Sequence, residues 1–240
     1  MILGFIYLAE KVRSIPPGSI LQFSLSLRRT TIMIMIIKFV GPCRTSQGMR
    51  TAIFYASNTG STEEIAQLIK KQLGPKHVDT IRDVEGLDVH DLEGYDTLIV
   101  GVATWDYGDI PYDWAVLYEG LKQCDFTGTR IAMFGLGDQW GYPETFLDAM
   151  GLMYRAFVKR GAHGGYGFWP TRNYTFSGSM ARFGAQFCGL AIDQDNEAQL
   201  TASRIKKWCA QIKRELGMLS LCTPQIEFIE NNVARDQHLA

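Results

Sequence analysis

The chain has 240 residues, is 46% hydrophobic and carries a formal net charge of -1. That is enough chain to bury one good core, and too little positive charge to present the basic face that nucleic acid requires. The total conceals unlike segments: 79–148 holds 15 acidic and three basic residues, whereas 149–217 holds ten basic and four acidic, which predicts an electric dipole able to steer a basic partner.

Residues 1–48 have six Lys and Arg against one acidic residue and are broken by Pro16-Pro17-Gly18. Their apolar run TIMIMIIKFV (31–40) is too short to span a bilayer and contains Lys38. Three readings fit: an upstream extension ahead of a true start at Met49, an organelle transit peptide, or a membrane anchor. The extension is preferred, and 1–48 is expected to be disordered and outside the fold.

From Met49 strand and helix alternate. RTAIFYA (50–56) is a continuous apolar run, as expected of a strand covered on both faces, and a helix over 60–73 follows with Ile65, Leu68, Ile69 and Leu73 on one side. HVDTI (77–81) is a weak strand and DTLIVGVAT (96–104) the strongest. A helix over 111–123, a strand over 130–137 and a helix over 144–161 come next. HGGYGFW (163–169) and FCGLAID (187–193) read as two halves of one last strand position, separated by an insertion over 170–186. A helix over 196–216 closes the domain (49–217), and 218–240 is expected to be a poorly ordered tail. The pattern predicts an α/β, three-layer, doubly wound fold on a parallel sheet.

Such folds bind ligands beyond the carboxyl ends of their strands. Three loops lie there. The first, Ser57-Asn58-Thr59-Gly60-Ser61-Thr62, carries hydroxyls at a helix start, where unpaired N–H groups and the helix dipole attract an anion. It lacks the Lys of a Walker loop and the glycine pattern of a dinucleotide fold, so its donors suit a single terminal phosphate. The competing reading is a Ser/Thr helix cap. The second loop, Thr104-Trp105-Asp106-Tyr107-Gly108, offers an indole that either tucks into the core edge or stacks on a flat ring. In the third, GLGDQWGYPETF (135–146), glycines 135, 137 and 141 are expected to let the main chain approach a ligand, and Tyr142 supplies a second ring. Two aromatics beside a phosphate loop point to a planar heterocycle joined to a monophosphate, flavin mononucleotide (FMN).

The motifs SNTGST, ATWDYGD and GLGDQWGY, the late insertion and GLAIDQDN occur in the order and spacing of the long-chain flavodoxins, which residues 50–217 resemble. The resemblance implies a flavodoxin-like five-stranded parallel sheet of order 2-1-3-4-5, with the long-chain insertion in the last strand. It implies that Ser57 to Thr62 hold the phosphate, that Trp105 and Tyr142 flank the isoalloxazine, and that the backbone around Thr104, Asp106, Leu136, Gly137, Asp138 and Gln139 meets ribityl or ring edges. Asp195 matches a residue near the ribityl chain. Ser61, Ala103 and Asp106 depart from the commonest family residues, and none of the three removes a phosphate donor or an aromatic. By the same analogy the peptide between Asp106 and Tyr107 turns on reduction, at a cost because neither residue is glycine.

The function so implied is a low-potential one-electron carrier, not an enzyme. An FMN-dependent NAD(P)H or quinone reductase on the same fold is the alternative. Expected partners are ferredoxin–NADP reductase and ferredoxin-type acceptors, met through the acidic face around the flavin edge by a monomer, with no nucleic acid and no membrane. The five cysteines and four histidines show no metal-ligand spacing, so no metal site is expected. Scattered thiols point to a reducing compartment: cytoplasm, or a plastid if 1–48 is a transit peptide.

Overall fold

The computed structural model describes residues 20–27, 31–39, 49–218 and 224–232. One compact unit spans Ser46–Leu219 and a second comprises Met1–Thr45 with Ser220–Ala240.

The larger unit is built on five strand positions. Strand β1 (Thr51–Tyr55) leads into helix α1 (Ser61–Leu73), then β2 (Thr80–Asp83) and β3 (Thr97–Ala103). Helix α2 (Tyr112–Gly120), β4 (Arg130–Leu136) and α3 (Asp148–Lys159) follow. The last strand position and the closing helix come from β5 (His163–Tyr166), β6 (Gly189–Ile192) and α4 (Gln194–Glu215). In the central sheet the pairings are parallel, β2 beside β1 beside β3 beside β4. The outer neighbour of β4 is divided. β5 pairs with its first half, Arg130 opposite His163, and β6 with its second, from Met133 opposite Gly189 to Leu136 opposite Ile192. The two expected half-strands thus complete the order 2-1-3-4-5.

Alternation along each strand feeds two cores. Ala52 and Phe54 of β1 join Leu98, Val100, Met133, Trp114, Met150 and Phe157 on the side of α2 and α3. Ile53 and Tyr55 join Ile99, Phe134, Ile65, Ile69, Trp208 and Ile212 on the side of α1 and α4. A strand with both faces covered has no reason to alternate apolar with polar, which is why β1 and β3 read as continuous apolar runs. Each large side chain so buried contributes roughly 1.5–3 kcal/mol. The stripe Phe146, Met150, Met153, Phe157 is core, as are the free thiols of Cys124, Cys188 and Cys209; Cys43 and Cys222 lie outside the described residues.

Helix α3 starts later than its apolar period suggests. Leu147 takes a left-handed φ of 63° just ahead of it, and residues 142–147 wrap round the strand ends before the helix begins. Asp148 then accepts a 2.5 Å hydrogen bond from Met180 N–H, tying the insertion to the helix head. Within the insertion Trp169–Pro170, Gln186–Phe187 and Arg182–Phe183 form a small antiparallel sheet, and Tyr174 and Phe176 pack on Phe146 and Phe187.

Ile20–Leu27 pairs antiparallel with Thr31–Phe39, which pairs in turn with Pro224–Asn232. The aliphatic, β-branched run in Thr31–Phe39 favours extended pairing. Among the described residues no helix is long and apolar enough to cross a membrane.

Candidate cofactor site

The loops after β1, β3 and β4 converge on a cleft of about 440 Å³ at the carboxyl ends of the strands. The first loop enters α1 through Gly60, whose φ of 89° is left-handed. A Cβ there would meet nothing within 4 Å, so glycine is required by the backbone angle and not by crowding. Gly60 is also the residue at the cap position and has no side chain with which to cap the helix. Ser57 Oγ accepts from Glu63 N–H at 3.2 Å, whereas Thr59 and Ser61 make only a long 3.4 Å contact with each other. The cap reading therefore fails for Thr59, Ser61 and Thr62. These three line the cleft with Asn58, at a helix head where N–H groups lack carbonyls four residues back.

The second loop is a tight hairpin. Trp105 O accepts from Gly108 N–H at 3.0 Å and Asp109 N–H at 2.8 Å, while Trp105 N–H donates to Asp109 O at 3.0 Å. Asp106 at its tip has a φ of 44°, so the strain expected of a non-glycine residue in this turn is already present. On the cleft wall, Thr104 Oγ1 is buried with no hydrogen-bond partner. A buried hydroxyl left unpaired is costly, and one facing a cleft is satisfied by whatever fills it.

The third loop is held from within. Asp138 accepts from Trp140 N–H (2.9 Å), Gly141 N–H (2.8 Å) and Asn196 Nδ2 (2.7 Å). Burial pushes its carboxyl up, but these donors outweigh burial and hold it below the ordinary range. Asp195 is pushed the other way by burial, with the charges of Asp138 and Asp193 adding to it. Trp105 and Tyr142 are 37% and 38% exposed, and both line the cleft. Neither ring is tucked into the core. Tyr107 stands edge-on to Tyr142 with centroids 5.6 Å apart.

The family model for flavodoxin matches residues 53–208. The flavodoxin of Synechococcus elongatus is 40% identical over 169 residues, covering 70% of this chain and 99% of that protein. The chain belongs to the flavodoxin family. Flavodoxin 1 of Salmonella typhimurium is 44% identical over 169 residues, covering 70% of this chain and 95% of its own. Fusobacterium nucleatum flavodoxin, solved bound to flavin mononucleotide, superposes with a TM-score of 0.63 at 30% identity over 69% of this chain and 98% of that one.

Within this flavodoxin cleft the structure gathers Asn58, Thr59, Ser61, Thr62, Thr104, Trp105, Asp106, Leu136, Gly137, Asp138, Tyr142 and Asp195. Five expected residues stand off its wall. Ser57 and Gly60 shape the first loop, as above. Gly108 faces a neighbouring hollow with Asp109 and Ile110, and Tyr107 is 82% exposed. Gln139 is 3% exposed: its N–H and Nε2 donate to Asp193 Oδ2 at 3.2 and 2.8 Å, Nε2 reaches Glu197 at 3.0 Å, and Oε1 accepts from Thr175 N–H at 2.7 Å. With those groups committed, Gln139 braces the loop and does not face the cleft.

The glycine expectation also needs correcting. A Cβ on Gly135 would strike Met150 and Leu147, and one on Gly141 would strike the Asp138 carboxylate. Both serve packing. Sequence reasoning missed Thr145, Phe146, Leu147, Gln194 and Ala103 as cleft residues. The late start of α3, which folds 142–147 over the site, is what brings the first three in.

Proposed function

We propose that this chain carries single electrons between redox proteins on a non-covalently bound FMN held in the cleft of residues 49–217, with 1–48 and 218–240 outside the carrier. One observation carries the reading: uncharged hydroxyls, an unpartnered buried Thr104 hydroxyl and two half-exposed rings face one cleft. That donor set fits a phosphomonoester at one end and a flat aromatic system at the other.

Bound flavin supplies the redox chemistry, and the protein supplies position and field. Thr59, Ser61, Thr62 and the N–H groups at the head of α1 hold the phosphate through donors alone. Trp105 and Tyr142, which line the cleft, would cover the ring and keep water from its faces, each aromatic pair adding about 0.5–1.5 kcal/mol beyond area burial. The Asp106 carbonyl lies on an exposed turn and would accept a hydrogen bond from a protonated ring nitrogen. Asp106, Asp138 and Asp195 line the cleft with no Lys or Arg among its walls, so added negative charge is disfavoured and the potential is low. Rings on both sides leave no berth for a second substrate, which disfavours the reductase alternative.

Exposed Tyr107 and Tyr112 lie beside Asp106 and Asp109, which line one hollow with Tyr112, giving apolar surface with an acidic rim suited to brief docking of basic partners such as ferredoxin–NADP reductase. The protein acts as a monomer in these encounters. Stopped-flow reduction of the full-length yellow protein by such a reductase should slow steeply as ionic strength rises from 20 to 300 mM, roughly as the Debye length contracts. A salt-independent rate removes the acidic-face docking. Oxidation of NADPH by the protein without any partner would replace the carrier reading with the reductase one.

A further inference from the structure

We propose that His90, Glu93 and Cys124 form a binding site for a borderline-soft divalent cation of the zinc type, at the end of the sheet away from the cofactor cleft. His90 and Glu93 are three residues apart, but Cys124 lies 31 residues beyond Glu93, which is why no metal spacing is legible in the sequence. In the fold one ligand atom from each lies within 4.8 Å of the others.

The site sits where the chain returns to the start of β3 and of β4. His90 belongs to a single 3-10 turn, Val89–Leu92, and Glu93 ends it. Cys124 ends the 3-10 turn Leu121–Gln123 that follows α2. His90 Nδ1 is 2.7 Å from Glu93 Oε2 and 3.9 Å from Cys124 Sγ. Around tetrahedral zinc, metal–ligand bonds of about 2.0–2.3 Å set ligand–ligand separations of roughly 3.3–3.6 Å. The His90–Glu93 edge must open and the His90–Cys124 edge close by a fraction of an ångström, and the Glu93–Cys124 edge, no longer than 4.8 Å, must close by up to roughly 1.3 Å. The exposed imidazole can take up the first two movements.

The ligands are also braced as metal ligands are. Asp125 N–H donates to Glu93 Oε1 at 2.9 Å, which fixes the carboxylate and leaves Oε2 toward the imidazole. Asp88 Oδ1 accepts from His90 N–H at 2.9 Å, and Asp91 Oδ2 accepts from Asp88 N–H at 3.2 Å. These bonds set the turn from which His90 projects. Cys124 Sγ has only a long 3.8 Å contact with Val89 O and one of 3.9 Å with Gly120 O.

Mixed nitrogen, sulfur and carboxylate donors select a borderline-soft ion over Mg²⁺ or Ca²⁺, which take oxygen. Burial and the charges of Glu93 and Asp88 push the Cys124 thiol up to about 11, against a smaller lowering by Arg160. A cation reverses the sign of that field. On binding, an S–metal bond forms as the thiol proton leaves to solvent, along with any proton on His90. Three protein ligands leave the fourth position to water. The bound ion would pin the β2–β3 connection to the α2–β4 connection.

The test is Zn²⁺ titrated into the full-length FMN-loaded protein by calorimetry, with zinc-edge X-ray absorption on the product. One ion is expected, with one sulfur at about 2.3 Å and nitrogen or oxygen at about 2.0–2.1 Å. Affinity should rise from pH 6 to pH 8 as protons compete less. Cys124→Ala should abolish the sulfur signal, which also excludes Cys43 and Cys222 as its source. His90→Ala changes an exposed side chain and so keeps the fold; it should weaken binding at least about tenfold, as should Glu93→Gln. Unchanged zinc uptake in His90→Ala, or a first shell without sulfur in the wild type, overturns the proposal. Flavin absorbance is recorded throughout, so a failed zinc site and a failed cofactor assignment are read separately.

Discussion

The loop after β1 and the loop after β4 face the same cleft but are held in opposite ways. Between 58 and 62 the hydroxyls make almost no bonds to the rest of the protein: one 3.4 Å contact joins Thr59 to Ser61. Between 137 and 142 nearly every donor is engaged before any ligand arrives, by Asp138 itself and by Asp193, which is 0% exposed. Asp193 accepts from Gln139 and Asn196, Gln139 reaches Glu197, and Glu197 pairs with Arg204 at 2.6 Å. That chain runs from the cleft into α4, ending where the Arg204 guanidinium lies 4.4 Å over the Tyr174 ring of the insertion. One loop is a set of open donors completed by the cofactor. The other is a prebuilt wall that presents Tyr142 at a fixed place.

The contrast breaks most readily at Asp193. Asp193→Ala leaves the buried Gln139 N–H without its acceptor and removes one acceptor each from Gln139 Nε2 and Asn196, and should cost about 3 kcal/mol of apoprotein stability, read from urea unfolding; a cost below about 1 kcal/mol would mean the wall is not prebuilt. The first loop should behave conversely. Thr59→Val or Thr62→Val should weaken FMN binding roughly tenfold, about 1.4 kcal/mol, while apoprotein stability moves by no more than about 0.5 kcal/mol. Equal losses in both measurements would erase the distinction.

The smallest effect is in acid. Asp138 is held below its ordinary value by its donors, so its folded pKa lies under its unfolded one. Its stabilisation is complete above the ordinary aspartate value, near 3.9, and is lost as pH falls through the lowered folded value. FMN release, followed by flavin fluorescence, should therefore have an acid limb in that window, and Asp138→Asn should flatten it.

Much of this was legible in residue order. Continuous apolar runs identified β1 and β3, because burial on both faces leaves a one-dimensional mark. The second half of the split last strand was legible for the same reason, since Gly189–Ile192 is buried throughout, whereas His163–Tyr166 is only partly covered. Trp105 and Tyr142 were legible as residues lining the cleft because large aromatics in loops at strand ends need a cover. Gln139 was not. Its neighbours in GLGDQWGY suggest a ligand contact, yet its partners are Asp193, Glu197 and Thr175, which adjacency in sequence cannot reveal. The glycines misled similarly: absence of a side chain reads the same whether the space is taken by a ligand or by Met150.

By itself the sequence determined the alternation of strand and helix, the hydroxyl loop without a cation, and the two aromatic crests, since these depend on local composition and on burial with a short period. Tertiary structure decided which donors remain free, where α3 begins, and that His90, Glu93 and Cys124 meet. Those outcomes depend on pairing between segments remote along the chain, and a hydrogen bond already spent on a distant partner leaves no trace in the residue that makes it.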